Sequence, residues 1–272
     1  MTGTISDQEQ GPDARAEDGG PPLTSGSGGS SAVPGSGGAP AVSGPGGRKL
    51  WIDLLGLGSV ALILMALYGA MIVAPTEAVM GDVQRIFYFH MPSAWVALGP
   101  AFTVVFVCSI IYLAKRDLKF DRIAGASAEI GVMFTTITLV TGPLWARPIW
   151  GAYWTWDPRL TTTLVLWFIY VAYLMLRSST AEGHKRARLA AVFGIVGWID
   201  VPIVFMSIRW WRTIHPTLIN GQGMQMDPTM QAVLMFSLFA FTILYVYLLI
   251  VRVRQLDLGS RVDRLRQQLL MR

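Results

Sequence analysis

Six long apolar runs dominate this sequence, and they constrain its fold more than any other feature. They occupy residues 54–74, 93–114, 123–144, 161–176, 189–208 and 229–251. Each run is close to the roughly 20 residues with which a helix crosses the hydrocarbon core of a membrane. The runs are continuous and do not alternate with period two, which excludes a transmembrane β-barrel. The sequence therefore predicts an all-α integral membrane protein with six transmembrane helices.

The composition agrees with this class and argues against a nucleic-acid-binding protein. Of the 272 residues, 53% are hydrophobic and only 14% are charged, which is more apolar than a soluble domain. The net charge of +5 is spread over short segments between the apolar runs, where membrane topology explains it. We therefore expect membrane lipid, and no nucleic acid, as a partner.

The basic residues predict the orientation of the six helices. One set of connecting segments is rich in Lys and Arg, and it contains Arg48, Lys49, Lys115, Arg116, Lys119, Arg122, Arg177, Lys185, Arg186, Arg188, Arg252 and Arg254. The alternate set holds only Arg85, Arg147, Arg159, Arg209 and Arg212. Because basic segments stay on the cytoplasmic side, both termini are predicted to be cytoplasmic and the alternate loops to face outward.

The two ends of the chain differ from the membrane domain, which we predict at 49–254. Residues 1–48 are rich in Gly, Ser and Pro and cannot bury enough apolar surface to offset the entropy of ordering, so they predict a disordered cytoplasmic tail. Residues 255–272 form a basic cytoplasmic tail. Its Leu258, Val262 and Leu265 have helical spacing, as does Leu269, and this predicts an amphipathic helix attached to the membrane surface.

Two of the three histidines are predicted to share one membrane face. His90 stands in RIFYFHMPSAW, placed in the first outward loop just before Pro92 opens the second span, and His215 stands in RWWRTIHPTLI, in the third outward loop. His184 belongs to the opposite face. A lone histidine near an interface is more often solvated or hydrogen-bonded than a ligand. Here, however, both outward histidines are flanked by aromatic residues.

A two-histidine set narrows the choice of metal. Neutral imidazole suits iron or zinc, but zinc requires a third protein ligand and no further outward His or Cys is present, whereas haem iron needs only two axial ligands. Cys108, the only cysteine, lies inside an apolar run, and the chain has no Cys-x-x-Cys-His motif. Bis-histidine haem, bound without a covalent link, is the best chemical fit.

A Trp-rich segment, residues 145–160, lies between the two histidines and is predicted to be an outward loop. Its aromatic residues are Trp145, Trp150, Tyr153, Trp154 and Trp156. Interfacial tryptophans ordinarily anchor a protein in the headgroup layer, but four within twelve residues exceed that need and suggest a platform for a flat ring. The segment ends with Asp157 and Pro158, which are predicted to cap the fourth helix.

The outward arginines are candidates for pairing with carboxylates of such a ligand. Arginine binds carboxylates in a planar, bidentate manner, although near a helix end it often only extends toward the interface. The candidates are Arg85, Arg147, Arg159, Arg209 and Arg212. Two acids, Glu129 and Asp200, lie within the predicted spans. Because an ionisable group at membrane depth is costly, both are candidates for a functional role. Their positions indicate no proton relay.

Three segments together carry a family resemblance. The run TGPLWARPIWGAYWTWDPRLT resembles the WWD signature of the haem-handling membrane proteins of cytochrome c biogenesis, the CcmC, CcmF and CcsA families. With RIFYFHMPSAW, RWWRTIHPTL and a six-span chain, the sequence looks most like the CcmC family, haem exporter protein C. The resemblance covers about residues 50–251. The long N-terminal tail departs from the family pattern, as does Tyr153, which stands where Trp is common.

The resemblance implies haem delivery more than classical enzyme activity. In this family, haem b is held non-covalently at the periplasmic face of the bacterial inner membrane by two axial histidines, which correspond to His90 and His215. The Trp-rich segment, here Trp145 to Arg159, contacts haem and presents it to the haem chaperone CcmE. The implied partners also include the ABC transporter CcmA with CcmB and the small membrane protein CcmD. A site built on loops would open at low local cost and so favour transfer.

Other functions remain possible from the sequence alone. A cytochrome c haem lyase of the CcsA type would attach haem directly to an apocytochrome, but such proteins usually have more spans and more membrane histidines. A b-type electron carrier commonly places histidine pairs within facing helices near mid-membrane. A transporter would need a polar or broken-helix path, of which only Glu129, Asp200 and some Gly and Pro positions give a hint. Haem delivery is the preferred hypothesis.

Overall fold

Eight α-helices carry the six apolar runs. The computed structural model describes residues 46–180, 183–215, 219–220, 223–224 and 226–271. Its helices are α1 (Gly46–Tyr68), α2 (Phe87–Val96), α3 (Phe102–Lys115), α4 (Leu118–Trp150), α5 (Pro158–Ser179), α6 (His184–Trp198), α7 (Asp200–Trp210) and α8 (Pro228–Leu270). Two strands of two residues each, β1 (Ile219–Asn220) and β2 (Gly223–Met224), pair antiparallel between α7 and α8.

The prediction of six membrane-spanning helices is confirmed. Short π-helical turns extend α1 by Gly69–Val73 and join α2 to α3 through Ala97–Ala101, and a 3₁₀ turn, Asp82–Ile86, precedes α2. The helices long and apolar enough to cross a membrane are Leu50–Val73, Asp82–Lys115, Leu118–Trp150, Pro158–Ser179, His184–Trp210 and Pro228–Leu270. Of the predicted tail 1–48, residues 1–45 lie outside the described residues, and the last three begin α1.

The second span begins earlier than predicted, and this changes the setting of His90. It starts at Asp82 rather than at residue 93, so the prediction that His90 lies in a loop is wrong, and His90 is instead a residue of α2. Pro92 was expected to open the helix because proline favours a first turn. Burial of Phe87 and Tyr88, only 3% and 0% exposed, continues the helix upstream, and this packing outweighs the local preference.

Helix α4 is the centre of the bundle, since it packs against α2, α3, α5 and α8. Its buried Ser127 hydroxyl donates a hydrogen bond to the carbonyl of Ala101 over 2.7 Å and lies 2.8 Å from the Tyr245 hydroxyl, linking three spans. The ring of Phe102 stacks on that of Tyr170 at 3.8 Å in the core beside it. Helix α4 thereby fixes the positions of the elements that form the site described below.

The end of the bundle that carries the predicted cytoplasmic segments is held by ion pairs. Asp121, 4% exposed, accepts hydrogen bonds from Arg177, with Nη2 to Oδ2 at 3.1 Å, and Arg186 lies 3.4 Å from the same oxygen. Arg252 binds Glu129, with Nη2 to Oε1 at 3.0 Å. Glu129, suspected from its depth, is therefore part of a structural pair between α4 and α8.

Helix α8 is much longer than its apolar run. It continues without interruption from Pro228 to Leu270, so residues 255–270 of the predicted tail 255–272 are an extension of the sixth span rather than a separate helix, and Arg272 lies outside the described residues. Asp227 caps its start by accepting hydrogen bonds from the Thr229 and Met230 backbone N–H groups. Arg122 near the start of α4 binds Asp257 at 3.2 Å, which holds the first turns of the extension beside the bundle.

Candidate functional site

A cavity of about 400 Å³ lies between α2 and α4 on one side and α5 and α7 on the other. Both outward histidines and three tryptophans line it, among mainly apolar residues of the four helices. Its size falls within the roughly 300–1,000 Å³ typical of small-molecule and cofactor pockets. The fold thus brings His90 and His215, which are 125 positions apart in the sequence, to one cavity.

His90 is oriented by the last part of α4. Its Nδ1 lies 3.0 Å from the hydroxyl oxygen of Thr141, and that hydroxyl donates its own proton to the carbonyl of Ile137 over 2.7 Å. With its proton directed to Ile137, the Thr141 oxygen is available to accept from His90, and this arrangement assigns the imidazole proton to Nδ1 and the lone pair to Nε2. The ring also contacts Trp145, with centroids 5.9 Å apart.

Gly142 makes room for the His90 ring. A Cβ atom at this position would lie 3.2 Å from Cε1 of His90, closer than ordinary van der Waals contact. Its backbone is not in the left-handed region, so the absence of a side chain here serves the close approach of α2 and α4 and not a turn.

His215 reaches the cavity from the segment after α7. Its ring lies edge-on to Trp150, with centroids 6.4 Å apart. Burial, together with the nearby Arg159 and His90, lowers the pKa of His215 to about 3, so its imidazole is neutral at physiological pH. Its Nδ1 is buried and has no hydrogen-bond partner among the described residues. A neutral, partly unsatisfied imidazole has the properties of a metal ligand.

Asp157 connects the Trp-rich segment to the segment that carries His215. Its Oδ1 accepts from the Arg159 backbone N–H at 2.9 Å, which confirms the prediction that Asp157 and Pro158 cap the helix that begins there. Its Oδ2 accepts from the Thr213 hydroxyl at 2.6 Å and from the Ile214 N–H at 2.9 Å. The Thr213 oxygen in turn accepts from the His215 N–H at 2.9 Å.

The Trp-rich segment is less of a loop than its composition suggests. Its first residues, through Trp150, are the last turns of α4, and α5 begins at Pro158. Trp145, Trp150 and Trp154 line the cavity, and the indole N–H groups of Trp145 and Trp154 are buried without a hydrogen-bond partner among the described residues. Trp156 and Tyr153 lie outside the cavity lining and are 76% and 58% exposed.

Some of the arginine candidates line the cavity and others lie outside its lining. Arg159 and Arg209 line the cavity. Arg85 instead donates hydrogen bonds to the carbonyls of Ala70, at 2.6 Å, and Ala74, where it satisfies the end of the first span.

Two further arginines lie outside the cavity lining. Arg147 is exposed, donates to the Gly151 carbonyl at 2.9 Å and lies 5.5 Å from the Tyr153 ring centroid. Arg212 is also exposed. Asp157 is absent from the lining as well, so its described contacts are structural.

The residues present fit a haem group. Two histidines on different elements could supply two nitrogen ligands, the tryptophans and apolar side chains suit the faces of a porphyrin, and two arginines suit its carboxylates. The unpartnered indole N–H groups and the buried Nδ1 of His215 are polar atoms that a bound polar ligand could satisfy or polarise. The donor set and the apolar, aromatic lining are therefore both compatible with haem.

Sequence reasoning missed Thr141, Gly142 and Thr213. Thr141 and Gly142 lie four and three residues before the Trp-rich segment, and a helical register through α4 places Thr141 on the same face as Trp145. That spacing could have been noticed. Thr213 offered no comparable signal, because its hydrogen bond to Asp157 joins residues 56 positions apart.

The chain is similar to known proteins over most of its length. A family profile described as Heme exporter protein C matches residues 47–268. A Heme exporter protein C of Bradyrhizobium diazoefficiens is 35% identical over 210 residues, which cover 76% of this chain and 79% of the relative. One of Escherichia coli K12 is 35% identical over 185 residues, 68% and 75% of the two chains. A ccmC-like mitochondrial protein of cytochrome c biosynthesis in Marchantia polymorpha is 33% identical over 201 residues, 74% and 85%. The chain belongs to the Heme exporter protein C family.

Proposed function

We propose that this protein holds haem b non-covalently in the cavity between α2, α4, α5 and α7 and delivers it to the haem chaperone CcmE during cytochrome c maturation. Membership in the Heme exporter protein C family supports a role in haem handling for cytochrome c maturation. The observation that carries the proposal is the convergence of His90 and His215 on one apolar cavity that Trp145, Trp150 and Trp154 also line.

The protein contributes two prepared imidazoles to this step. Thr141 leaves Nε2 of His90 with its lone pair, and burial keeps His215 neutral, so neither ligand has to lose a proton before it binds iron. Haem supplies the iron that both histidines would ligate. Arg159 and Arg209 are the residues of the lining that would pair with its propionates.

The exposed aromatic residues suit the delivery step. Trp156 and Tyr153 stand outside the cavity on the segment that joins α4 to α5, where a chaperone docking at the predicted periplasmic face would meet them. In the proposed assembly CcmE receives the haem, CcmA with CcmB supplies ATP-driven release, and CcmD is a small membrane partner. The role of this chain in that assembly would be to hold haem and present it to CcmE.

An absorption spectrum tests the binding step. Protein purified in detergent and supplied with haem should show a Soret band of a six-coordinate bis-histidine centre. His90→Ala and His215→Ala should each convert the spectrum to a form with one protein ligand and weaken binding by about tenfold or more. His184→Ala is the matched control, because His184 lies on the opposite face against Tyr112, and it should leave the spectrum unchanged.

Transfer to the chaperone tests the delivery step separately. Haem-loaded protein mixed with apo-CcmE should lose its spectrum as haem accumulates on the chaperone, and both cavity histidine variants should slow that transfer. Absence of a Soret band in the wild-type protein would refute haem binding altogether. A stable haem that is reduced and reoxidised with quinol, without transfer, would instead favour a b-type electron carrier.

A further inference from the structure

Helix α8 extends well beyond the membrane that its apolar run can cross. Its 43 residues correspond to about 64 Å at the usual rise of 1.5 Å per residue, against a hydrocarbon core of about 30 Å. The part from about Arg252 onward, after the apolar run, therefore projects from the predicted cytoplasmic face. Nothing in the proposed haem site accounts for this extension.

The two sides of the extension differ in character. Leu256, Ser260, Asp263, Arg264 and Gln267 line a polar cavity of about 490 Å³ together with residues of α4, α5 and the start of α6, so this side faces the bundle. On the other side, Leu258, Val262, Leu265 and Leu269 are 63%, 54%, 60% and 72% exposed. At 100° per residue, the two sets are centred roughly 180° apart. The apolar stripe thus points away from the bundle.

The stripe has the spacing of a coiled-coil seam. Its residues recur at intervals of four, three and four, which is the a and d pattern of a heptad repeat. Arg261 and Arg266, both exposed, occupy the flanking g and e positions; Arg261 pairs with Asp257 at 2.8 Å, but its side chain is still 67% exposed and accessible to a second carboxylate. In a parallel pair of identical helices, Arg261 would face Arg266 of the second copy, and in an antiparallel pair each would face itself. Like charges therefore disfavour self-association.

We propose that this seam, Leu258 to Leu269, binds an amphipathic helix of another protein whose apolar face is flanked by Asp or Glu. Opposite charges at the e and g positions select such a partner. A lipid surface is a poorer occupant, because the stripe runs along a continuous helix that leads away from the bilayer. Two heptads form a short interface, so its affinity is modest alone and rises inside a membrane assembly through effective concentration.

Two synthetic helices test the charge rule on the full chain in nanodiscs. Both carry Leu at a and d, and they differ only in Glu or Lys at e and g. The Glu peptide should bind about tenfold more tightly than the Lys peptide at low salt, and the difference should narrow at high salt. Val262→Ser combined with Leu265→Ser should abolish binding. Equal binding of the two peptides, or binding of neither, would overturn the proposal.

Charge reversal supplies a sharper test. Arg261→Glu with Arg266→Glu should invert the preference in favour of the Lys peptide. The matched control is Lys119→Glu with Arg188→Glu, which changes the net charge equally at exposed positions on the same predicted face and should keep the original preference. If the control inverts the preference as well, net charge rather than the seam is responsible, and the proposal fails.

A fluorophore on the seam distinguishes the other occupants. Leu265→Cys can be labelled selectively, because Cys108 is the only native cysteine and is buried. The label should report an aqueous environment in nanodiscs of anionic lipid and become shielded only when the Glu peptide is added. Shielding by the lipid alone would assign the stripe to the membrane. Disulfide formation between two Leu265→Cys copies at native-like density would assign it to self-association, and either result contradicts the proposal.

Discussion

The Thr141 hydroxyl contacts Nδ1 of His90 and thereby determines which nitrogen of the neutral ring carries the proton. Thr141→Val keeps the shape of the side chain and removes the acceptor for Nδ1–H, so the ring loses its fixed tautomer. We expect haem affinity to fall by about tenfold or more in a Soret titration. Thr141→Ser should restore it, and Thr136→Val, on the same helix but bonded to Trp167, should leave the spectrum unchanged. An unaltered affinity in Thr141→Val would remove Thr141 from the site.

Asp157 joins two segments with one carboxylate. Asp157→Asn can still cap α5, but its amide nitrogen cannot accept the hydrogen bonds of both Thr213 and Ile214. We expect a loss of about 1–3 kcal/mol of stability and a haem spectrum in which the His215 bond is weakened.

Asp227→Asn is the control for capping alone. Asp227 caps α8 through Thr229 and Met230, and asparagine caps about equally well. It should melt near the wild-type temperature and bind haem normally. If both asparagine variants behave alike, the connection to the His215 segment has no special importance.

At the residue scale, the sequence predicted chemistry better than location. Histidine can ligate a metal and tryptophan can stack on a flat ring wherever they lie, so residue type alone was enough to name these candidates. They are His90, His215, Trp145, Trp150 and Trp154. Arg85 could not be assigned, because the charge of an arginine near a helix end suits a ligand carboxylate and a backbone carbonyl equally well. Its hydrogen bonds to Ala70 and Ala74 depend on the turn of chain between two spans.

At the level of the helix, the close approach of α4 to His90 of α2 depends on the absence of a side chain at Gly142. Gly142→Ala improves helix propensity by about 1 kcal/mol, yet its Cβ would press on the His90 ring at 3.2 Å. We expect unchanged or raised thermal stability together with weaker haem binding. The control is Gly58→Ala in α1, where a Cβ meets nothing within 4 Å, and it should gain the propensity without affecting haem. Equal haem affinity in both variants would contradict the steric role of Gly142.

The spans themselves were predictable because apolar length is a strong signal, whereas their ends were not. Pro92 suggested a helix start that the packing of Phe87 and Tyr88 overrides. The break in the fifth span at Ile199, between α6 and α7, lies just before Pro202, which has no N–H to donate to the carbonyl of Trp198, so this break could have been predicted from the sequence. The sequence predicts a separate tail where the structure continues α8, because charged residues end an apolar run without ending a helix.

Across the whole molecule, stability and binding are located at opposite ends. Asp121→Asn leaves the largely inaccessible Arg177, 12% exposed, without the counter-charge of Asp121, and we expect a loss of about 3–5 kcal/mol, measured as a large fall in melting temperature. Glu129→Gln disrupts a pair that is more than a third exposed, so the loss should be about 1 kcal/mol or less. Both variants, while folded, should bind haem with wild-type spectra. A changed Soret band in either would show that the two ends communicate.

The two histidines of the proposed haem site lie in different settings, one within a helix and the other in a connecting segment. His90 belongs to α2 and contacts Thr141 of α4, whereas His215 lies in the segment after α7, which Asp157 joins to the start of α5. A bond to the connecting segment can open without disturbing the bundle, while a bond to α2 cannot. If haem binds as proposed, His215 would be the ligand that an acceptor displaces first while His90 still holds the group, and the two histidines would give the transfer an order.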